Sequence, residues 1–169
     1  MVDIQTISIA IASASVVAGV IYYSLQIRHQ NLQIKQQTKM RQTDVYWRLL
    51  SSFTSKEYVE AFLKIANLEF KDYNEFAKKH GSAFSETPAQ AALGMVFNLF
   101  EGAGSLLYRN LIDIETISQM LPVSYTWEKV KPIVDGMRKE LNQPPLYEWF
   151  EYLYNEMKKR EQQLASKTA

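Results

Sequence analysis

IQTISIAIASASVVAGVIYYSLQI, residues 4–27, carries no charged side chain over its whole length. At about 1.5 Å of rise per residue, roughly 20 residues cross a hydrocarbon layer of about 30 Å, so the run is long enough to span one as a helix. Asp3 bounds it on one side and Arg28 on the other. Tyr22 and Tyr23 sit near one end, where amphipathic rings suit a membrane interface. Thr6, Ser8, Ser13, Ser15 and Ser24 interrupt the apolar residues, but in a helix a hydroxyl can bond to the carbonyl one turn back. A cleavable signal peptide fits poorly. The start carries Asp3 and no Lys or Arg, and the candidate cleavage site Ala12-Ser13-Ala14 falls in the middle of the run. A buried soluble helix is rarely this long without one charge. The reading is a transmembrane anchor over residues 1–27.

The flanks give its orientation. Arg28, Lys35, Lys39, Arg41 and Arg48 come after the run, and no basic side chain precedes it. Positive residues stay on the cytoplasmic side, which predicts the N-terminus outside and the remainder in the cytoplasm. Ala10, Ala14 and Ala18 recur every four positions, and Ser15 with Gly19 repeats that spacing one step round the helix. Small residues so placed let two membrane helices approach closely, although such residues are also simply common there.

Beyond the run, RHQNLQIKQQTKMRQTD, residues 28–44, is polar, with only Leu32, Ile34 and Met40 apolar. It contains no Pro or Gly, so the helix can continue as a neck of roughly 25 Å. A polar helix of this kind is either solvated or packed on a partner. Leu25 and Leu32 are succeeded at the next heptad by Lys39, which does not make a coiled coil. The neck is drawn over residues 28–52, a helical domain over 53–165 and a disordered tail over 166–169.

Hydrophobic residues make up 47% of the 169 and aromatics 12%, enough to fill a core for that domain. The net charge of +1 favours no nucleic acid. There is no cysteine, which rules out disulfides, thiolate catalysis and cysteine-bound zinc. Six glycines, five prolines and no long alternation point to an all-α fold, a small helical bundle behind the anchor.

Cap signals divide the domain. Thr54 with Glu57 makes a capping-box pattern ahead of an apolar stripe at Val59, Phe62, Leu63 and Ala66. Asp72 with Glu75 opens a short helix that Gly81 closes. Thr87, Pro88 and Gln90 open a helix running to about Arg109, where Asn110 can take the left-handed stop position. Asp113 caps a helix bearing Ile114, Ile117, Met120 and Leu121. Ser124 begins the next, with Trp127, Val130, Ile133 and Met137 on one face and Pro132 placed to kink or divide it. The last starts at Pro144-Pro145 and carries Leu146, Trp149, Phe150, Leu153, Tyr154 and Met157.

The helix from Pro88 is apolar nearly all round, which marks the bundle's centre. It is long enough to be a second membrane helix, but Asn98 and Glu101 lie inside it, and a charge at mid-helix is costly in lipid. Asn98 and Glu101 are three apart and share a face. A buried carboxylate must find a partner, so Glu101 is either an acid, base or ligand, or half of a structural pair with Arg48, Arg109 or Arg138. The structural pair is preferred, because no second carboxylate or histidine stands beside it at a ligand spacing. The candidate polar site is therefore Asn98, Glu101, Arg109 and Arg138. His29 and His80 fit no metal pattern, and no nucleophile motif or phosphate-binding loop occurs. Gly102-Ala103-Gly104 reads as a place where another helix packs closely. The tryptophans at 47, 127 and 149 read as core. No cofactor, metal or catalytic residue is expected.

Phe97-Asn98-Leu99-Phe100-Glu101-Gly102, Arg109-Asn110-Leu111-Ile112-Asp113, Trp127-Glu128 through Lys131-Pro132 to Arg138, and Trp149-Phe150 to Tyr154 resemble the uncharacterised prokaryotic family called domain of unknown function 4760. The resemblance covers about 90 to 155. A glycine is usual in that family where Asn110 stands, and Met120 to Tyr125 is atypical of it. The resemblance implies a helical, membrane-tethered domain and supplies no catalytic residues. The expected function is a membrane-tethered interaction module whose partners are the bilayer and another protein or a second copy. The alternative is a small-molecule sensor or signalling adaptor with its ligand near Glu101.

Overall fold

The computed structural model of the protein describes residues 3–168, without the side chains of residues 6, 7, 10 and 168. Every regular element among the described residues is helical: α1 (Ile4–Phe53), α2 (Lys56–Ala66), α3 (Tyr73–His80), α4 (Pro88–Tyr108), α5 (Ile114–Met120), α6 (Val123–Leu141) and α7 (Glu148–Thr168). The chain divides into two compact units between Thr43 and Asp44.

The first unit is α1 up to Thr43. Its described side chains are exposed, Gly19 alone being half-buried. The hydroxyls of Ser8, Ser15 and Ser24 donate to the carbonyls of Ile4, Ile11 and Val20 at 3.0, 2.8 and 2.7 Å, the back-bonding that lets a polar side chain sit on an apolar helix. Thr38 and Thr43 do the same further on.

The second unit holds the end of α1 and α2 to α7. The apolar character of α4 is explained by its place: it packs against α7, α2 and α3, while α6 packs on α7 and α3 and α5 on α7. Leu93, Val96, Phe97, Phe100 and Ala103 of α4 are buried. Phe150 fills the centre, stacked on Phe100 at 4.5 Å and edge-on to Trp127 at 4.9 Å between ring centroids. Trp127, Val130, Ile133 and Met137 form the buried face of α6 at the spacing the sequence shows. Leu49, Val45 and Phe53 at the end of α1 pack on the same core.

Three helix starts carry the caps expected of them. Asp72, Thr87 and Asp113 accept the N–H groups of Glu75, Gln90 and Thr116, and Asn110 stops α4 with φ of 56°. Three other starts differ from expectation. The α2 cap is Ser55, which accepts the Tyr58 N–H at 3.2 Å, while the Thr54 hydroxyl turns back to the Leu50 carbonyl. α6 begins at Val123 with no side-chain cap. Pro144 and Pro145 lie in turns, and α7 begins at Glu148. Pro132 does not divide α6, which runs through it. α7 continues to Thr168, beyond the expected end of the domain at 165, and Ala169 lies outside the described residues. The buried face of α2 is Tyr58, Ala61 and Ile65, with Val59 and Leu63 turned outward. Trp47 is 60% exposed and is not core.

Candidate functional site

Glu101 lies where α4 crosses the start of α7. Its Oε2 accepts the Phe150 N–H at 2.8 Å, and the Trp149 N–H is also directed at the carboxylate. These are two of the donors that the first turn of α7 leaves without an intrahelical partner. Glu101 is therefore a cap delivered from another helix, and a carboxylate at a helix N-terminus also meets the positive end of the helix dipole. Burial nevertheless raises its pKa above the ordinary value. The two N–H groups pull the other way, Glu148 adds to the rise and Arg138 opposes it.

One turn along α4, Gly104 explains how the two helices come so close. A Cβ there would stand 2.0 Å from the Trp149 carbonyl oxygen, so only glycine fits. Gly102 faces open space and plays no such part. Close approach at Gly104 is what brings Glu101, three residues earlier, within reach of the α7 backbone.

Arg138 holds the other side of this junction. Its Nε donates to the Leu146 carbonyl at 2.9 Å and its guanidinium pairs with Glu151 at 2.7 Å. It acts on Glu101 through its field, without a direct ion pair. The other two residues expected here are elsewhere. Asn98 is exposed: it lies on the solvent face of α4 with Ala91 and Met95, while Glu101, about 60° round the helix, sits at the edge of the buried face. Arg109 is the exposed C-cap of α4. Arg48 pairs with Asp44 at 2.8 Å. What the structure assembles is thus a Glu101–Arg138 junction that fixes α7, with the carboxylate committed to backbone donors.

A different feature leaves no mark in the sequence. A cleft of about 690 Å³ lies between α3 and α6, lined in part by Asp72, Tyr73, Asp135, Lys139 and Glu140. The Tyr73 hydroxyl donates to Glu140 and accepts the Ala83 N–H at 3.0 Å. Burial first, and Glu140 second, push its pKa up to about 12. Its ring lies against Gly136, where a Cβ would meet it at 2.0 Å. Nothing in local spacing pairs residue 73 with residues 136 and 140. Among the described residues no group of three His, Cys, Asp or Glu could hold a metal ion.

On α1, Ala14, Ser15 and Ala18 are exposed and Gly19 is half-buried. The Ala10 side chain lies outside the described residues. By length and composition two helices among the described residues could cross a membrane: α1, over Ile11–Phe53, and α4. They differ in burial, since α4 is packed into the core and the apolar window of α1 is not buried.

The model of the family described as domain of unknown function (DUF4760) matches residues 9–157, and the chain belongs to that family. The match takes in most of α1 as well as the helical domain, beyond the 90 to 155 over which the resemblance is visible by motif. No curated protein and no solved structure matches.

Proposed function

We propose that this family member is a single-pass membrane protein, anchored by residues 4–27 with its N-terminus outside and its helical domain in the cytoplasm, and that the domain is a non-catalytic module for binding another protein. One observation carries the reading. Ile11, Val16, Val17, Val20, Ile21, Leu25 and Ile27 are all more than half exposed along one uncharged helical stretch. Apolar surface left in water costs about 25 cal/mol per Å², so such a helix needs lipid or another helix around it. The Lys and Arg residues behind the run favour the cytoplasmic side for the rest of the chain. The domain offers a packed core and a Glu101 carboxylate already engaged by backbone, which suits a scaffold better than an active site. Alkaline carbonate extraction and then purification from mild detergent test this. The chain should stay with the bilayer and elute with a second protein; release into the wash, or a lone monomer, would overturn it.

A small-molecule sensor is the second reading. What favours it is the cleft between α3 and α6, rather than the surroundings of Glu101. A thermal-shift screen against metabolites should then stabilise the native chain, and loss of that shift in Tyr73→Phe would locate the ligand.

A further inference from the structure

From Ile4 to Thr43 the sequence holds no Asp or Glu, but Arg28, Lys35, Lys39 and Arg41. Successive helical residues turn by about 100°, so positions 28, 32, 35 and 39 fall on one narrow stripe, while Arg41 points away from it. All four side chains of the stripe are exposed. None of its three cations has an acidic partner among the described residues, and the first ion pair along α1 is Asp44 with Arg48. Lys35 and Lys39 are four apart, where like charges destabilise a helix by about 0.2–0.5 kcal/mol. A polar helix without opposite-charge pairs has little to hold it on its own. The stripe is therefore a helix face short of carboxylates.

We propose that the Arg28–Leu32–Lys35–Lys39 stripe docks an acidic helix of a partner protein, with Asp or Glu opposite the three cations and an apolar residue against Leu32. This rests on the membrane reading above and names the chemistry of the partner. Anionic headgroups reach Arg28 and Lys35 but account least well for Lys39. With about 5–7 Å of headgroup layer beyond Ile27, Lys39, about 18 Å along the axis, stands roughly 11 Å past that layer, beyond a Debye length of about 8–10 Å. A second copy fits worse. Parallel copies held by the same anchor set each cation level with its twin, and neither copy has a carboxylate from Ile4 to Thr43 to offset them.

The test is site-specific photocrosslinking of the full chain in its native membranes, with benzoylphenylalanine placed singly at Leu32 within the stripe or Gln42 beside it, and at Gln30 or Gln37 on the opposite side. The first pair should give adducts with one polypeptide, and mass spectrometry should place the crosslink on a segment whose acidic residues recur at helical spacing. Joint Lys35→Glu and Lys39→Glu substitution should reduce that adduct about tenfold. Adducts with lipid alone, adducts with a second copy, equal yields from both sides, or insensitivity to charge reversal would each overturn the inference. Release of the chain by alkaline carbonate would instead defeat the membrane reading. Retention in the bilayer and co-purification of a partner, without adducts from the stripe, would defeat this inference alone.

Discussion

Because the Glu101 carboxylate meets backbone N–H groups and no cation directly, its acceptor oxygen matters more to the fold than its charge. Glu101→Ala should lower stability by about 1–2 kcal/mol in urea denaturation, the scale of a lost helix cap, while Glu101→Gln, which keeps an acceptor, should stay close to the parent. The pH dependence has a definite sign. Burial raises the folded-state pKa, so the folded chain binds this proton more tightly than the unfolded one. The contribution is fully present below the ordinary carboxylate range and is lost as pH rises through the folded pKa. The parent's stability relative to Glu101→Gln should therefore fall as pH rises through that window, and a rise there would contradict the assignment. Tyr58 is the opposite kind of residue: 3% exposed, with a hydroxyl that has no hydrogen-bond partner among the described residues and a pKa that burial raises. Removing an orphaned buried hydroxyl removes its desolvation penalty, so Tyr58→Phe should raise stability by about 1 kcal/mol. That Glu101 is exceptional is legible in the sequence, since it is the one charge in an apolar helix. Its partner is not, because backbone donors on a segment 49 residues away leave no mark in side-chain spacing.

At the scale of elements, the α4–α7 crossing depends on one glycine and is indifferent to its neighbour. Gly104→Ala would drive a methyl into the Trp149 carbonyl and should cost more than about 2 kcal/mol, despite alanine's better helix propensity. Gly102→Ala meets nothing and should gain about 0.5–1 kcal/mol. Thermal or urea unfolding of the two variants separates packing from propensity. The sequence shows a small-residue triplet but not which member a neighbour touches, since that is set by the rotation of α4. The same limit explains α2, where Val59 and Leu63 offer as good an apolar stripe as the face that is buried. Caps are readable where a side chain bonds three residues ahead, as at Asp72, Thr87 and Asp113. They mislead at α6, where no side chain does that work, and at α7, where Glu101 of α4 does it from a distance. Two left-handed positions escape for a related reason. Phe84 and Tyr147 have φ of 58° without being Gly or Asn, and Tyr147 offsets the strain by packing its ring on Phe97 at 4.8 Å.

For the whole molecule, the all-helical class and the core helix α4 come from composition and periodicity, and membership of the DUF4760 family extends the resemblance seen around Glu101 to residues 9–157. Placement in the bilayer is a claim of a different order, argued from one uncharged helix and the basic residues behind it. The absence of cysteine makes it directly measurable. Single cysteines introduced as Asp3→Cys and Ser166→Cys can be labelled with a membrane-impermeant maleimide in intact cells and again after lysis. Position 3 should label in intact cells and position 166 only after lysis. Labelling of position 166 in intact cells, or protection of position 3 until lysis, would overturn the proposed topology.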